Sequence, residues 1–226
     1  MSIIRRWAPV LALITCLFPQ QSVSAEKSQV LAPGYGPLQF QPPAAGTYQL
    51  PPLGVAADGK VLDSNGAPKQ LHQLMGDKLV LMGFIYTHCA DINGCPLASF
   101  VMKKVQAQLL ADQPLADQVR LLSLSFDPEM DTPAALTDYA RHFRRKDFDW
   151  QFLTTASEQD LRPILDDYDQ FRVKSFDDEG NYTGSMSHIL RVYLIDRQRR
   201  IRNIYSTGFL HADTVVNDLR TLALEN

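Results

Sequence analysis

The chain has 226 residues, 45% of them hydrophobic, and a formal net charge of −3 from 22 Lys and Arg residues against 25 Asp and Glu residues. This length is enough for one domain with a sizeable core. The acidic balance argues against a nucleic-acid partner.

The first 25 residues have the pattern of a secretory signal. Arg5 and Arg6 precede an apolar stretch from Trp7 to Phe18, and small residues end at Ala25, where we expect cleavage. The stretch is shorter than the about 20 apolar residues of a membrane-spanning helix, so cleavage is favoured over a permanent anchor. We therefore expect a protein secreted across the inner membrane and soluble in the periplasm of a Gram-negative bacterium.

Residues 26–46 are rich in Pro and Gly and show no periodicity, which predicts an extended lead. Residues 47–226 are expected to form one domain, with folded structure beginning near Tyr48.

Within that domain, buried strands and amphipathic helices follow one another. The predicted elements are a central strand over Leu79–Tyr86, a helix from Pro96, a strand over Val119–Phe126, a helix over Ala134–Phe143, a strand over Trp150–Leu153, a helix from Ser157 to Tyr168, a hairpin over Ile189–Ile195 and Ile201–Tyr205, and a helix over Ala212–Leu224. This order predicts an α/β protein with a thioredoxin-like fold, a central mixed sheet flanked by helices.

Cys89 and Cys95 lie between the first central strand and the helix that follows it. A thiol near a helix N-terminus feels the positive end of the helix dipole, which favours the thiolate needed for metal binding or disulfide chemistry. A purely structural disulfide is the alternative in an oxidising compartment. Because it would close only a small loop and stabilise little, a chemical role is preferred.

Three ordered motifs resemble the Sco/SenC family, over roughly Tyr48 to Leu224. They are Phe84-Ile85-Tyr86-Thr87-His88-Cys89 with Cys95-Pro96, the segment Ser125-Phe126-Asp127-Pro128-Glu129-Met130-Asp131-Thr132-Pro133, and Ser187-His188 before Tyr193-Leu194-Ile195-Asp196.

The resemblance implies a thioredoxin-like domain that binds one copper ion, Cu(I) or Cu(II), and serves assembly of the copper site of a terminal oxidase. By that match the ligands are Cys89, Cys95 and His188. Thiolates are soft ligands suited to Cu(I), and an added imidazole gives a site for either oxidation state. The family pattern has three residues between its cysteines, whereas this chain has five, of which Gly94 allows the longer loop to fold back.

Three further residues are expected near the site. Asp127, at the end of the second buried strand, either tunes the metal through a hydrogen bond to a ligand or caps a turn beside Pro128. His88 is expected on the side opposite to Cys89, as a pKa-tuning group. Met186 shares a face with His188 in extended chain, where its thioether would assist Cu(I), although a packing role is preferred.

Asp131 is expected to cap the helix that begins at Pro133.

Two classes of function follow from these residues. The first is a copper metallochaperone or assembly factor that delivers or maintains copper for a terminal oxidase. The second is a periplasmic thiol-disulfide oxidoreductase or redox sensor using Cys89 and Cys95, with peroxide reduction as a weaker third. The second class gives His188 no role and usually rests on a closer Cys-X-X-Cys pair.

The expected partners are a copper-accepting oxidase subunit or another copper carrier, together with a thiol reductant. Basic clusters at residues 144–146 and 197–202 offer contact with a membrane surface or an acidic partner, although a solvated charged face is the simpler interpretation.

Overall fold

A computed structural model describes residues 29–225 of the protein. Its strands are β1 (Gly54–Val55), β2 (Lys60–Leu62), β3 (Pro68–Gln70), β4 (Leu79–Ile85), β5 (Val119–Ser125), β6 (Trp150–Leu153), β7 (Arg172–Phe176), β8 (Tyr182–His188), β9 (Arg191–Ile195) and β10 (Arg200–Ser206). Its helices are α1 (Leu71–Met75), α2 (Cys95–Leu110), α3 (Gln113–Ala116), α4 (Pro133–Ala140), α5 (Glu158–Asp167) and α6 (Ala212–Leu224), preceded by a 3-10 turn over Pro33–Tyr35.

A six-stranded mixed sheet in the order β1-β10-β9-β4-β5-β6 forms the centre. Strands β4, β5 and β6 are parallel, whereas β9 runs antiparallel to β4. All seven residues of β4 are apolar or glycine and buried, as expected for a strand covered on both faces. The carboxyl ends of the parallel strands, and the residues that follow them, therefore lie at one edge of the sheet.

The predicted central strands and the long helices are confirmed, with small shifts at their ends. The bounds of β6 and α6 agree with the prediction, and α4 ends at Ala140 rather than at Phe143. The hairpin of β7 and β8 was not predicted, because both strands are polar and largely exposed and lack an alternating apolar pattern. This hairpin carries His188.

The chain before Tyr48 lies against the domain, so ordered contacts begin earlier than the sequence indicates. The Gly46 amide donates a hydrogen bond to Thr221 Oγ1 at 3.1 Å, and the Asn217 side chain donates one to the Pro43 carbonyl at 2.9 Å. The Tyr48 hydroxyl donates one to Asp218 Oδ1 at 2.6 Å. Side chains of α6 thus provide hydrogen-bond partners for backbone groups of a Pro-rich segment that lies outside the helices and strands.

The predicted secretory signal, residues 1–25, lies outside the described residues. Over residues 29–225, no helix is both long enough and apolar enough to cross a bilayer.

Candidate metal centre

The two cysteines lie at the strand-to-helix turn where the sequence predicts them. Cys89 follows β4 by four residues and is half-buried, whereas Cys95 is the first residue of α2 and is 1% exposed. Pro96 occupies the first turn of α2, where its missing N–H costs no helical hydrogen bond. Both thiols are free.

His188, at the end of β8, faces both sulfurs. Its Nε2 lies 3.6 Å from the Cys89 sulfur and 3.5 Å from the Cys95 sulfur, and the three donor atoms all lie within 4.8 Å of one another. The imidazole packs against the rings of Tyr86 and Phe126, with centroids 5.6 Å and 4.9 Å away. A residue from a distant hairpin is thus held over the thiol pair by aromatic contacts.

The buried Nδ1 of His188 has no hydrogen-bond partner among residues 29–225. A ring that offers the Nε2 lone pair to a metal carries its proton on Nδ1. The Tyr86 and Phe126 rings and the contacts of Nε2 with the two sulfurs therefore orient this imidazole, and Nε2 is the nitrogen directed at the sulfurs.

The two thiols differ in acidity. A hydrogen bond from the Cys95 thiol and a second from His188 lower the pKa of Cys89 to about 4, against the opposing effect of burial. Burial, followed by the hydrogen bond to Cys89, raises the pKa of Cys95 well above its usual value. At neutral pH the site therefore holds one thiolate and one thiol.

The donor set fits a single soft metal ion. Bonds of about 2.3 Å to sulfur and about 2.0 Å to nitrogen span at most roughly 4.3 Å when both atoms bind one ion. Each sulfur lies closer than that to the imidazole nitrogen, at 3.6 and 3.5 Å. One ion can therefore bind His188 together with either sulfur, and with all three donor atoms within 4.8 Å of one another a small adjustment brings the second sulfur into reach. This donor chemistry suits copper.

Asp127 lies behind the site and is 1% exposed. Its Oδ2 accepts a hydrogen bond from the Tyr182 hydroxyl at 2.8 Å, and its backbone N–H donates to Ser125 Oγ at 2.8 Å. Tyr182 belongs to β8, the strand that ends at His188. The carboxylate thus acts on the hairpin that carries the histidine, which differs from the direct hydrogen bond to a ligand that the sequence suggests.

His88 does not belong to the three-residue cluster. His88 is exposed, and its Nδ1 lies 3.0 Å from Thr87 Oγ1. Met186 is 5% exposed and part of the hydrophobic core, while its carbonyl accepts a hydrogen bond from the Tyr86 hydroxyl at 3.2 Å. The packing role preferred for Met186 is the one its burial supports.

Asp131 holds the start of the cysteine loop, a role that its sequence context does not indicate. This buried carboxylate accepts hydrogen bonds from the Thr87 amide at 3.1 Å, from the Thr87 hydroxyl at 2.5 Å and from Ser125 Oγ at 2.5 Å. The predicted capping role belongs instead to Thr132, whose hydroxyl accepts from the Ala135 amide at 3.2 Å. The sequence contains the signal, because Thr132 directly precedes Pro133 and so occupies the N-cap position.

In the second basic cluster, two arginines form ion pairs within the domain. Arg202 is buried and binds Asp196 and Glu225, and Arg200 also binds Asp196. Arg145 pairs with Asp147 at the surface. Arg202 is therefore a structural residue and not part of an exposed basic face.

Together, fold and site define a thioredoxin-like protein with two thiols and one imidazole converging at the edge of its sheet. The family model described as SCO1/SenC matches residues 55–224, and the chain belongs to this family. The resemblance predicted from the sequence motifs is thereby confirmed.

Individual relatives agree with this assignment. A SCO2-like protein of Rickettsia conorii is 31% identical over 145 residues, which cover 63% of this chain and 64% of that relative. The chain thus aligns with less than two thirds of that relative's length.

Two solved structures are similar over most of this domain. That of Bradyrhizobium japonicum ScoI with copper bound has a TM-score of 0.57 at 27% identity, covering 72% of this chain and 99% of that one. That of BsSco, described as a member of the Sco family of cytochrome c oxidase assembly proteins with a disulfide switch, has a TM-score of 0.62 at 23% identity, covering 79% and 100%. Sco structures are thioredoxin-like, which confirms the predicted fold class.

Proposed function

We propose that this protein binds one copper ion through Cys89, Cys95 and His188 and serves as a copper metallochaperone in assembly of a terminal oxidase. The observation that carries the proposal is the position of His188 Nε2, 3.6 and 3.5 Å from the two sulfurs. Family membership and the copper-bound ScoI relative support copper over other soft metals. The copper is cargo, passed to a copper-accepting oxidase subunit or another copper carrier.

The residues have distinct tasks in this function. Cys89 is already a thiolate at neutral pH and supplies the first ligand, while Cys95 gives up its proton when the ion binds. His188 completes the site from the hairpin. Because the Cys89 thiol is half-exposed and the Cys95 thiol is buried, copper would enter and leave the site from the Cys89 side.

Capture of copper in the periplasm needs a reduced pair. A Cys89–Cys95 disulfide has no thiolate to offer, so a dithiol reductant must first convert it to two thiols and become oxidised itself. Metal capture by the oxidised protein equal to that of the reduced protein would contradict this requirement. The periplasmic location is part of the proposal and is supported by the signal-like residues 1–25.

An anaerobic copper titration of the reduced protein tests the site. The protein is compared with Cys89→Ser, Cys95→Ser and His188→Ala by absorbance and electron paramagnetic resonance. A matched control is His142→Ala, which removes an exposed imidazole that does not belong to the cluster. We expect one tight equivalent that is lost in the three site variants and kept in the control. Absence of tight copper binding in the unmutated protein would refute the proposal.

A thiol-disulfide oxidoreductase or redox sensor is the second candidate, favoured by the low pKa of Cys89 beside a second thiol. In that reaction the Cys89 thiolate would attack a substrate disulfide, and Cys95 would resolve the mixed disulfide. His188→Ala separates the candidates. Under the copper proposal this variant loses metal binding yet still exchanges disulfides, whereas ready exchange without any copper binding by the unmutated protein would favour the oxidoreductase.

A further inference from the structure

The residues ahead of the first strand contact the loop between the two cysteines. We call residues 32–36 the strap. The Ala32 amide donates a hydrogen bond to Asn93 Oδ1 at 2.8 Å, and the Tyr35 hydroxyl donates one to the Ile92 carbonyl at 2.5 Å. Ile92 and Asn93 both belong to the five residues that separate Cys89 from Cys95.

The strap is itself fixed to the body of the domain. The Tyr35 ring stacks on Phe100 of α2, with centroids 5.1 Å apart and an interplanar angle of 27°. Gly34 passes so close to the chain before α6 that a Cβ there would lie 2.3 Å from the Leu210 carbonyl oxygen. His211 Nε2 lies 3.0 Å from the Gly36 carbonyl oxygen. The strap therefore offers the loop a rigid support.

The loop's own hydrogen bonds close a turn around Asp91. The Asn93 amide donates to Asp91 Oδ1 at 3.0 Å, and the Gly94 amide donates to the Asp91 carbonyl at 2.9 Å. These bonds shape the turn locally, whereas the two strap contacts attach it to the domain from outside. A longer loop has more conformations to lose on ordering, so its attachment matters more than in a short one.

We infer that Ala32 and Tyr35 are positioning residues of the metal centre, through which the strap holds the long cysteine loop so that both sulfurs face His188. The copper part of this inference rests on the proposed function. Releasing the strap lowers the fraction of molecules with a binding-competent loop, and the apparent affinity for Cu(I) falls by the same factor. Neither residue touches the ion.

Two substitutions break the strap contacts, and Tyr35→Phe is the more conservative of the two. Tyr35→Phe removes the hydroxyl and keeps the ring that stacks on Phe100. Ala32→Pro removes the amide donor at a residue whose φ of −63° suits proline, and the ring carbon Cδ takes the place of the donated hydrogen, so that Asn93 Oδ1 must move away. The matched control is Tyr48→Phe, the same change further along the same N-terminal segment, at a hydroxyl that donates to Asp218 on α6 rather than to the loop.

Two measurements test the inference on the full chain. Hydrogen exchange of the reduced, metal-free protein measures how well the loop amides are protected without copper. A competition titration with a Cu(I) chelator measures the affinity of the site. We expect exchange at the Asn93 and Gly94 amides to be roughly fivefold faster, and Cu(I) affinity roughly fivefold weaker, in each strap variant, as for loss of one hydrogen bond. Tyr48→Phe should change neither.

Strap variants that match the unmutated protein in loop exchange would overturn the inference, as would a control that loosens the loop equally. If the unmutated protein binds no copper, the proposed function fails. The exchange data alone then decide whether the strap holds the loop.

Discussion

The Tyr182 hydroxyl donates a hydrogen bond to the buried Asp127 carboxylate at 2.8 Å, which joins the hairpin of His188 to the end of β5. A second connection is made by Lys174 of the same hairpin, which binds Glu129 at 3.0 Å and Glu158 at 2.8 Å. The hairpin is polar and largely exposed, so a few directed contacts fix its position on the domain. The placement of the histidine over the thiols depends on them.

Tyr182→Phe should therefore weaken the metal centre without removing a ligand. The buried Asp127 oxygen loses its donor, so we expect the free energy of unfolding to fall by about 1–2 kcal/mol. Cu(I) affinity should fall several-fold because His188 is held less firmly. Chemical denaturation and chelator competition measure the two effects. Tyr48→Phe is the control for affinity, and an unchanged affinity in Tyr182→Phe would show that the contact does not position His188.

The acidity of Cys89 predicts unequal reactivity of the two thiols. With a pKa of about 4, Cys89 is fully ionised above about pH 6, so its alkylation rate should be nearly constant from about pH 6 to pH 8. An ordinary thiol would gain close to tenfold per pH unit over that range. Cys95, whose pKa is raised, should react slowly throughout. Rates with iodoacetamide, resolved by peptide mass spectrometry, test both statements.

Two variants identify the cause of that acidity. Cys95→Ala removes the largest stabilising hydrogen bond to the Cys89 thiolate, and His188→Ala removes a smaller one. Each should shift the onset of Cys89 alkylation to higher pH, and the shift should be larger for Cys95→Ala. Identical profiles in all three proteins would assign the acidity to another source, such as the helix dipole.

The fold and the two cysteines were accessible from the sequence because their signals are local. The apolar run of β4, the helical spacing after Pro96 and the placement of Cys89 and Cys95 between them specify a thiol site at a strand end. His188 is different. Its strand has no apolar alternation, so only the family motif identified it.

The supporting contacts were not accessible, since each joins residues far apart in sequence. Asp127 meets Tyr182 across 55 residues, and Tyr35 meets Ile92 across 57. The Pro-rich segment is predicted as an extended lead when its residues are considered alone, because its hydrogen-bond partners lie on α6 and in the cysteine loop. Asp131 was assigned to a cap because its partner Thr87 lies 44 residues away.

Asp131 gives a prediction about stability. Asp131→Ala removes the buried carboxylate that accepts hydrogen bonds from the Thr87 amide, the Thr87 hydroxyl and the Ser125 hydroxyl. The three donors then have lost their common acceptor. We expect a loss of about 2–4 kcal/mol in the free energy of unfolding. The control is Asp138→Ala on α4, whose exposed ion pair with Arg141 should contribute at most about 0.5 kcal/mol. Equal, small losses in both variants would show that Asp131 does not hold the loop.

The protonation state of the thiol pair sets the pH dependence of copper affinity. Since Cys89 is ionised above about pH 5 and the pKa of Cys95 is raised well above its usual value, binding Cu(I) to both sulfurs at neutral pH releases one proton. The apparent affinity should therefore rise about tenfold per unit between about pH 7.5 and pH 8.5, a range above the ordinary pKa of histidine side chains, where a proton released from an imidazole adds nothing to the slope. Chelator competition at several pH values, corrected for the chelator's own protonation, measures the slope. A hundredfold rise in affinity per pH unit would mean that two protons are released and that both thiols are neutral before binding. A constant affinity would mean that no proton is released and that both are ionised. Either result contradicts one thiolate beside one thiol.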